Sequence, residues 1–188
     1  WVVASALAAI SEAARPGVTT GELDSIARDV LSDNNATSSF LGYKAHGAVP
    51  YPGVICASVN NEVVHGIPGD RVLAEGDLLS VDFGAIVDGW NGDAAVSILV
   101  GDVRPEIAAL SAVTEASLWA GLRMARAGGH LTDISHAVET VAMVEGTRTG
   151  GNGFAGLQVG HETPDLTPDF VFQSKGRLTP DGFNVEVR

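Results

Sequence analysis

The chain has 188 residues, 45% of them apolar and 18% charged, with 11 basic against 23 acidic side chains and a net charge of −12. Such a length and composition specify one globular domain able to bury a sizeable core. The acidic balance excludes a phosphate-backbone binder, which needs clustered Lys and Arg, and the apolar runs are too short and too mixed to span a bilayer. No signal-peptide pattern opens the chain, and a start on Trp1 rather than Met suits a trimmed or partial version of a longer chain. Cys56 is the one cysteine, so no internal disulfide forms, which fits a reducing cytoplasm.

Residues 2–14, rich in Ala, Leu and Ile, predict a helix stopped by Pro16-Gly17. Thr19 with Glu22 forms a capping box for a second helix, whose apolar face is Leu23, Ile26, Ala27, Val30 and Leu31 and whose end is Asn34-Asn35. Residues 36–53 read as loop, with Gly42, Gly47, Pro50, Pro52 and Gly53. Strands follow at 54–60 and around 62–65, then two apolar, β-branched runs joined at Asp88-Gly89. Helices are expected from Pro105 to about Arg126, ended by Gly128-Gly129, and from about Thr132 to Glu145. Beyond residue 146 the pattern weakens into a glycine-rich stretch, a connector rich in Pro and Asp, and a short run from Phe183 to Val187.

Asp-Gly at 88–89 is a strong signal for a two-residue turn, because type I′ requires φ > 0 at both central positions. With that turn Val87 faces Trp90 and Gly84 faces Asp93. Asp82 shares a face with Gly84 by strand alternation. Asp82 and Asp93 then lie diagonally on one face, with Cβ atoms about 7 Å apart or less. Two such carboxylates keep their charge only beside cations or donors. One reading is a divalent metal site; the other is a turn cap and a solvent-facing acid. A second pattern is an internal echo. Ala14-Arg15-Pro16-Gly17 overlays Ala125-Arg126-Ala127-Gly128, and Leu23, Ile26, Ala27 and Val30 overlay Ile134, Ala137, Val138 and Val141. It reads either as a common helix–turn–helix or as a duplicated α+β unit.

Several pieces, in order and at this spacing, closely resemble type I methionine aminopeptidase from about residue 2 to about residue 145. They are Pro16-Gly17-Val18-Thr19-Thr20-Gly21-Glu22-Leu23-Asp24, Leu41-Gly42-Tyr43, Ile55-Cys56-Ala57-Ser58-Val59-Asn60 leading to Val64-His65-Gly66-Ile67-Pro68, the hairpin with Asp88-Gly89-Trp90, and Gly92-Asp93-Ala94-Ala95. The resemblance implies the α+β pita-bread (creatinase/aminopeptidase-like) fold, a pseudo-two-fold antiparallel sheet with helices on its outer face. It also implies a single catalytic-type domain over 1–188, with half-repeats at about 1–104 and 105–188, the second incomplete. The implied activity is metal-dependent removal of the initiator methionine from nascent chains in the cytoplasm. Nascent polypeptide N-termini and the ribosome are the implied partners of a monomer that neither reads nucleic acid nor enters a membrane.

The resemblance further implies two divalent metal ions (Co, Mn, Fe or Zn), which suit carboxylate oxygens and activate a water. Asp82, Asp93 and Glu186 are the implied metal ligands, Glu186 also the general base. His65 and His161 are the implied catalytic histidines facing the substrate. Tyr43, Tyr51 and Cys56 fall on the methionine pocket, which an unbranched, polarizable thioether suits. Read without the resemblance, His65 is a strand-end histidine bonded to backbone, the tyrosines are core aromatics and Glu186 faces solvent.

Some positions depart from the family. Asn152, in Gly150-Gly151-Asn152-Gly153-Phe154-Ala155-Gly156, stands where a metal-binding histidine is expected, and an amide is a far poorer ligand. His161-Glu162-Thr163-Pro164 fits the family's H-E-x-P; an alternative alignment makes Gly160-His161 the ligand segment. Leu178 to Glu186 matches L-x-P-G…[IV]-E with a one-residue slip, and the strand bearing the family's last glutamate is absent. These departures leave three further readings beside the peptidase. They are a metal-poor pita-bread protein that binds peptides or a partner, an enzyme whose C-terminal third is incomplete, and a proline-directed peptidase of the same fold.

Overall fold

In the computed structural model the described residues are 1–44, 49–148, 177–179 and 182–184. They divide into two compact units, Trp1–Arg104 and Pro105–Arg188.

The first unit begins with two helices, α1 (Val2–Ala13) and α2 (Thr20–Asp33). The predicted capping box starts α2: the Thr19 side chain accepts from the Glu22 N–H at 3.1 Å, and Glu22 Oε2 accepts from the Thr19 N–H at 2.7 Å. Strand β1 (Thr37–Ser38) is short; β2 (Ile55–Val59), β3 (Leu78–Val87) and β4 (Trp90–Leu99) follow, all pairing antiparallel. β3 is central, with β4 along one side and β2 and β1 in line along the other. Its alternate residues Leu79, Val81, Phe83 and Ala85 are buried, and they join Ala6 and Ile10 of α1 and Leu23, Ala27 and Leu31 of α2 in one core. Helices therefore cover one face of the sheet, and the face bearing Asp82 is the other.

The register is the one the Asp-Gly turn dictates. Asp88 and Gly89 take φ of 50° and 81°, Val87 pairs with Trp90, and Gly84 pairs with Asp93. The strand expected around 62–65 does not form. Asn60 and Val64 adopt left-handed φ of 58° and 50°, and the Glu62 N–H turns back to the Val59 carbonyl. That segment is instead a loop, bonded to the free edge of β2 by the Ala57 N–H, which donates to the Gly66 carbonyl at 2.8 Å.

The second unit contains α3 (Pro105–Met124), α4 (Leu131–Arg148) and a small antiparallel pair, β5 (Arg177–Thr179) with β6 (Gly182–Asn184). A Cβ at Gly121 of α3 would come within 2.7 Å of Val138 Cγ2 on α4, so glycine there permits the close approach of the two helices. Gly17 and Gly128, at matching places in the two helix pairs, both have positive φ, 92° and 82°.

Phe83 is fully buried at the centre of the first unit. Phe83→Ala is expected to destabilise that unit by about 3–5 kcal/mol through lost burial and the cavity left behind, read as a lower denaturant midpoint in urea unfolding.

Candidate metal centre

The centre is built on the sheet face opposite the helices. Asp82, midway along β3, pairs with Cys56 of β2 on one side and Ala95 of β4 on the other. Asp93 pairs with Gly84, so the two carboxylates stand on a diagonal of one face. They feel each other directly. Burial, then the Asp93 charge and a hydrogen bond with Asp93, push the Asp82 carboxyl up to about 7, against a partial opposing pull from the Phe83 N–H. Gly84 has a packing reason beside them. A Cβ there would lie 2.9 Å from Ser39 Cβ and 3.0 Å from Phe40 Cε1, so those residues press onto the sheet next to Asp93.

Cys56 and Tyr51 complete the cluster. The Cys56 thiol is buried, and burial together with the Asp82 and Asp93 charges pushes it up to about 11, although a hydrogen bond with Tyr51 opposes the shift. At neutral pH it is a thiol that lines the site, not a thiolate nucleophile. Burial first, and then a hydrogen bond with Cys56, pushes the Tyr51 phenol far above its ordinary range. Its single hydroxyl proton is shared between the carbonyls of Ile55 and Gly66, each at 3.0 Å.

The structure thus brings Tyr51, Cys56, Asp82 and Asp93 together. Tyr43 is tied to Tyr51 through the backbone, its carbonyl accepting from the Tyr51 N–H at 2.9 Å, but its ring is exposed. His65 is exposed on the loop along the β2 edge. His161, Asn152 and Glu186 lie outside the described residues. Among the described residues no three His, Cys, Asp or Glu side chains converge as a metal site. The Asp pair fits a divalent cation as part of a ligand set. It offers carboxylate oxygens, and a cation between them would relieve the repulsion that raises Asp82.

Two supporting residues escape a reading of the sequence. Asp24 and Thr20 lie on the buried face of α2 among Leu23 and Ala27. Both fall within the run Pro16 to Asp24 that carries the family resemblance, and within an apolar stripe, but neither signal gives them a role.

Comparison with known proteins agrees with this architecture. Residues 2–182 match Metallopeptidase family M24. The chain is 47% identical over 167 residues to methionine aminopeptidase 1 of Mycobacterium tuberculosis, covering 86% of this chain and 61% of that protein. It is 41% identical over 170 residues to methionine aminopeptidase 1 of Bacillus subtilis, covering 88% and 66%. The solved methionine aminopeptidase of Rickettsia prowazekii superposes with a TM-score of 0.71 at 34% identity, over 76% of this chain and 56% of that one. The chain spans about three fifths to two thirds of the length of these curated relatives. Its fold is the α+β pita-bread fold. The chain belongs to metallopeptidase family M24.

Proposed function

We propose that the chain carries the activity of a metal-dependent aminopeptidase that removes the N-terminal methionine from nascent proteins and peptides. The observation that carries the reading is the Asp82–Asp93 pair with Cys56 and Tyr51 directly beside it. The names of these relatives favour a peptidase over a metal-poor binding protein.

In this reading Asp82 and Asp93 hold divalent ions (Co, Mn, Fe or Zn), with Glu186 as a further ligand. When bound, the ions supply Lewis acidity and an activated water. The chain's own groups orient the substrate. Cys56, Tyr51 and Tyr43 receive the methionine side chain, the first as a neutral thiol and the second as a protonated phenol, so no charge meets the thioether. His65 and His161 face the peptide, and Glu186 takes a proton as general base. The units Trp1–Arg104 and Pro105–Arg188 are read as half-repeats of one catalytic domain, a reading supported by their matched helix pairs and turn glycines. Among the described residues no helix is long and apolar enough to cross a membrane. A free Cys56 suits the cytoplasm, where nascent chains, a ribosomal partner and a monomeric state complete the proposal.

With Mn²⁺ or Co²⁺ added, the protein is expected to release Met from peptides with a small second residue and to leave a Leu-initiated analogue largely intact. Turnover no faster than background in a peptide assay would reject the reading. Asp93→Asn is expected to weaken cation binding by about 100-fold or more, read by titration calorimetry; two tight ions retained would overturn the ligand assignment. Proton and cation compete for Asp82. Its folded carboxyl stands at about 7 against an ordinary 3.8, so without metal the folded state holds a proton the unfolded chain has lost. The stability this confers is full below about pH 4 and lost as pH rises through about 7. Thermal unfolding of metal-free protein should show that fall, Asp82→Asn should abolish it, and saturating Mn²⁺ should reverse it.

A further inference from the structure

We propose that α2 clamps the site at two points: Thr20 and Asp24, one turn apart on its buried face, are positioning residues that hold the two loops bordering the Asp82–Asp93 pair. Residues at i and i+4 share a helix face, and both side chains are buried, Thr20 at 1% and Asp24 at 7% exposure.

Asp24 holds the segment that enters β2. Its Oδ1 accepts from the Val54 N–H at 2.6 Å and the Ile55 N–H at 3.2 Å. Its Oδ2 accepts from Arg28 Nε at 2.7 Å, and Arg28 Nη2 donates to the Pro52 carbonyl at 3.0 Å. The carboxylate and its guanidinium therefore grip residues 52–55 from one side. Cys56 is the next residue along the chain, and its strand partner is Asp82. The same residue also holds the aromatic ring, because Tyr51 Oη donates to the Ile55 carbonyl at 3.0 Å. Asp24 thus reaches the Tyr51–Cys56 pair through one residue's N–H and C=O.

Thr20 holds the other loop. Its Oγ1 accepts from the Gly69 N–H at 3.0 Å and donates to the Gly69 carbonyl at 3.2 Å, and the Gly21 N–H adds a bond to that carbonyl at 2.8 Å. At its other end this loop is fixed by the Gly66 N–H, which donates to Ser58 Oγ at 3.0 Å, and by the Gly66 carbonyl, which accepts from Ala57. A Cβ at Gly66 would fall 2.3 Å from the Ala57 carbonyl oxygen, so the contact tolerates only glycine. His65 precedes it. The two loops meet where a Cβ at Gly53 would lie 2.6 Å from Pro68 Cγ, and where Tyr51 Oη bonds the Gly66 carbonyl. A shift of either loop would move the groups beside the carboxylates, and small displacements of positioning groups are costly to a reaction.

The identity of what the Tyr51–Cys56 surface receives rests on the peptidase reading; the clamp does not. Two readouts keep them apart. Hydrogen exchange needs no turnover: Asp24→Ala should speed exchange of the Val54 and Ile55 amides at least about tenfold, and Thr20→Val should do so for Gly69, with Leu79, Val81 and Phe83 in β3 unchanged. Unchanged exchange at those amides, or acceleration spread evenly over the core, would overturn the clamp. In the metal-loaded protein, Asp24→Ala should raise KM for a Met peptide about tenfold while kcat stays within about twofold. Asp24→Asn, whose amide oxygen can still accept from Val54 and Ile55, should restore part of the loss. A fall in kcat at unchanged KM, with no rescue by Asn, would mark Asp24 as merely structural and overturn the proposal. Should Asp24→Ala not fold, Arg28→Met removes only the outer grip and should raise KM in the same direction; no change would count against the clamp. A wild-type protein that cleaves no Met peptide would reject the peptidase reading and leave the exchange test standing.

Discussion

The structure of the site depends on the register of one hairpin. A two-residue turn at Asp88-Gly89, with φ of 50° and 81°, leaves no freedom in how β3 faces β4. Because side chains alternate with period two, a slip of one residue would send Asp93 to the helix-covered face and pull an apolar side chain out of the core. The turn chemistry and the burial of Leu79, Val81, Phe83 and Ala85 therefore enforce the same alignment from opposite ends of the strand. Two acidic side chains meet as a by-product of satisfying both.

That meeting is unfavourable without a cation. Burial and the neighbouring charge hold Asp82 at about 7, where a carboxylate would ordinarily be ionised well below neutrality. The fold makes the juxtaposition tolerable by building rigid surroundings. β2 is buried along its whole length, and its outer edge is closed at Ile55 by Asp24 and Tyr51 and at Ala57 by Gly66. An edge strand closed in this way neither frays nor recruits another strand, so Cys56 and Asp82 stay in register. The site is in this sense a corner of the first unit's hydrogen-bond network.

The relation to methionine aminopeptidases gives this arrangement its chemical meaning. In the function proposed above, a neutral thiol and a half-buried phenol beside paired carboxylates would suit an apolar, sulfur-bearing side chain. The same groups would serve poorly as a nucleophile or as an anion receptor.

What the sequence determined by itself was local. Helix starts were legible because Thr19 and Glu22 satisfy each other's backbone within one turn, and the hairpin was legible because Asp-Gly admits few conformations. The diagonal of Asp82 and Asp93 followed from period-two geometry, and the recurrence of ordered motifs pointed to the family. The segment at 62–65 carries strand propensity in its β-branched residues yet forms a loop, because the left-handed turns at Asn60 and Val64 that break it are set by packing onto β2. The roles of Thr20 and Asp24 were invisible for a related reason. In sequence they are polar residues near a helix start; only the tertiary structure brings residues 52–55 and 66–69 against that helix face, and a hydrogen bond to a partner dozens of residues away leaves no periodic trace in the chain.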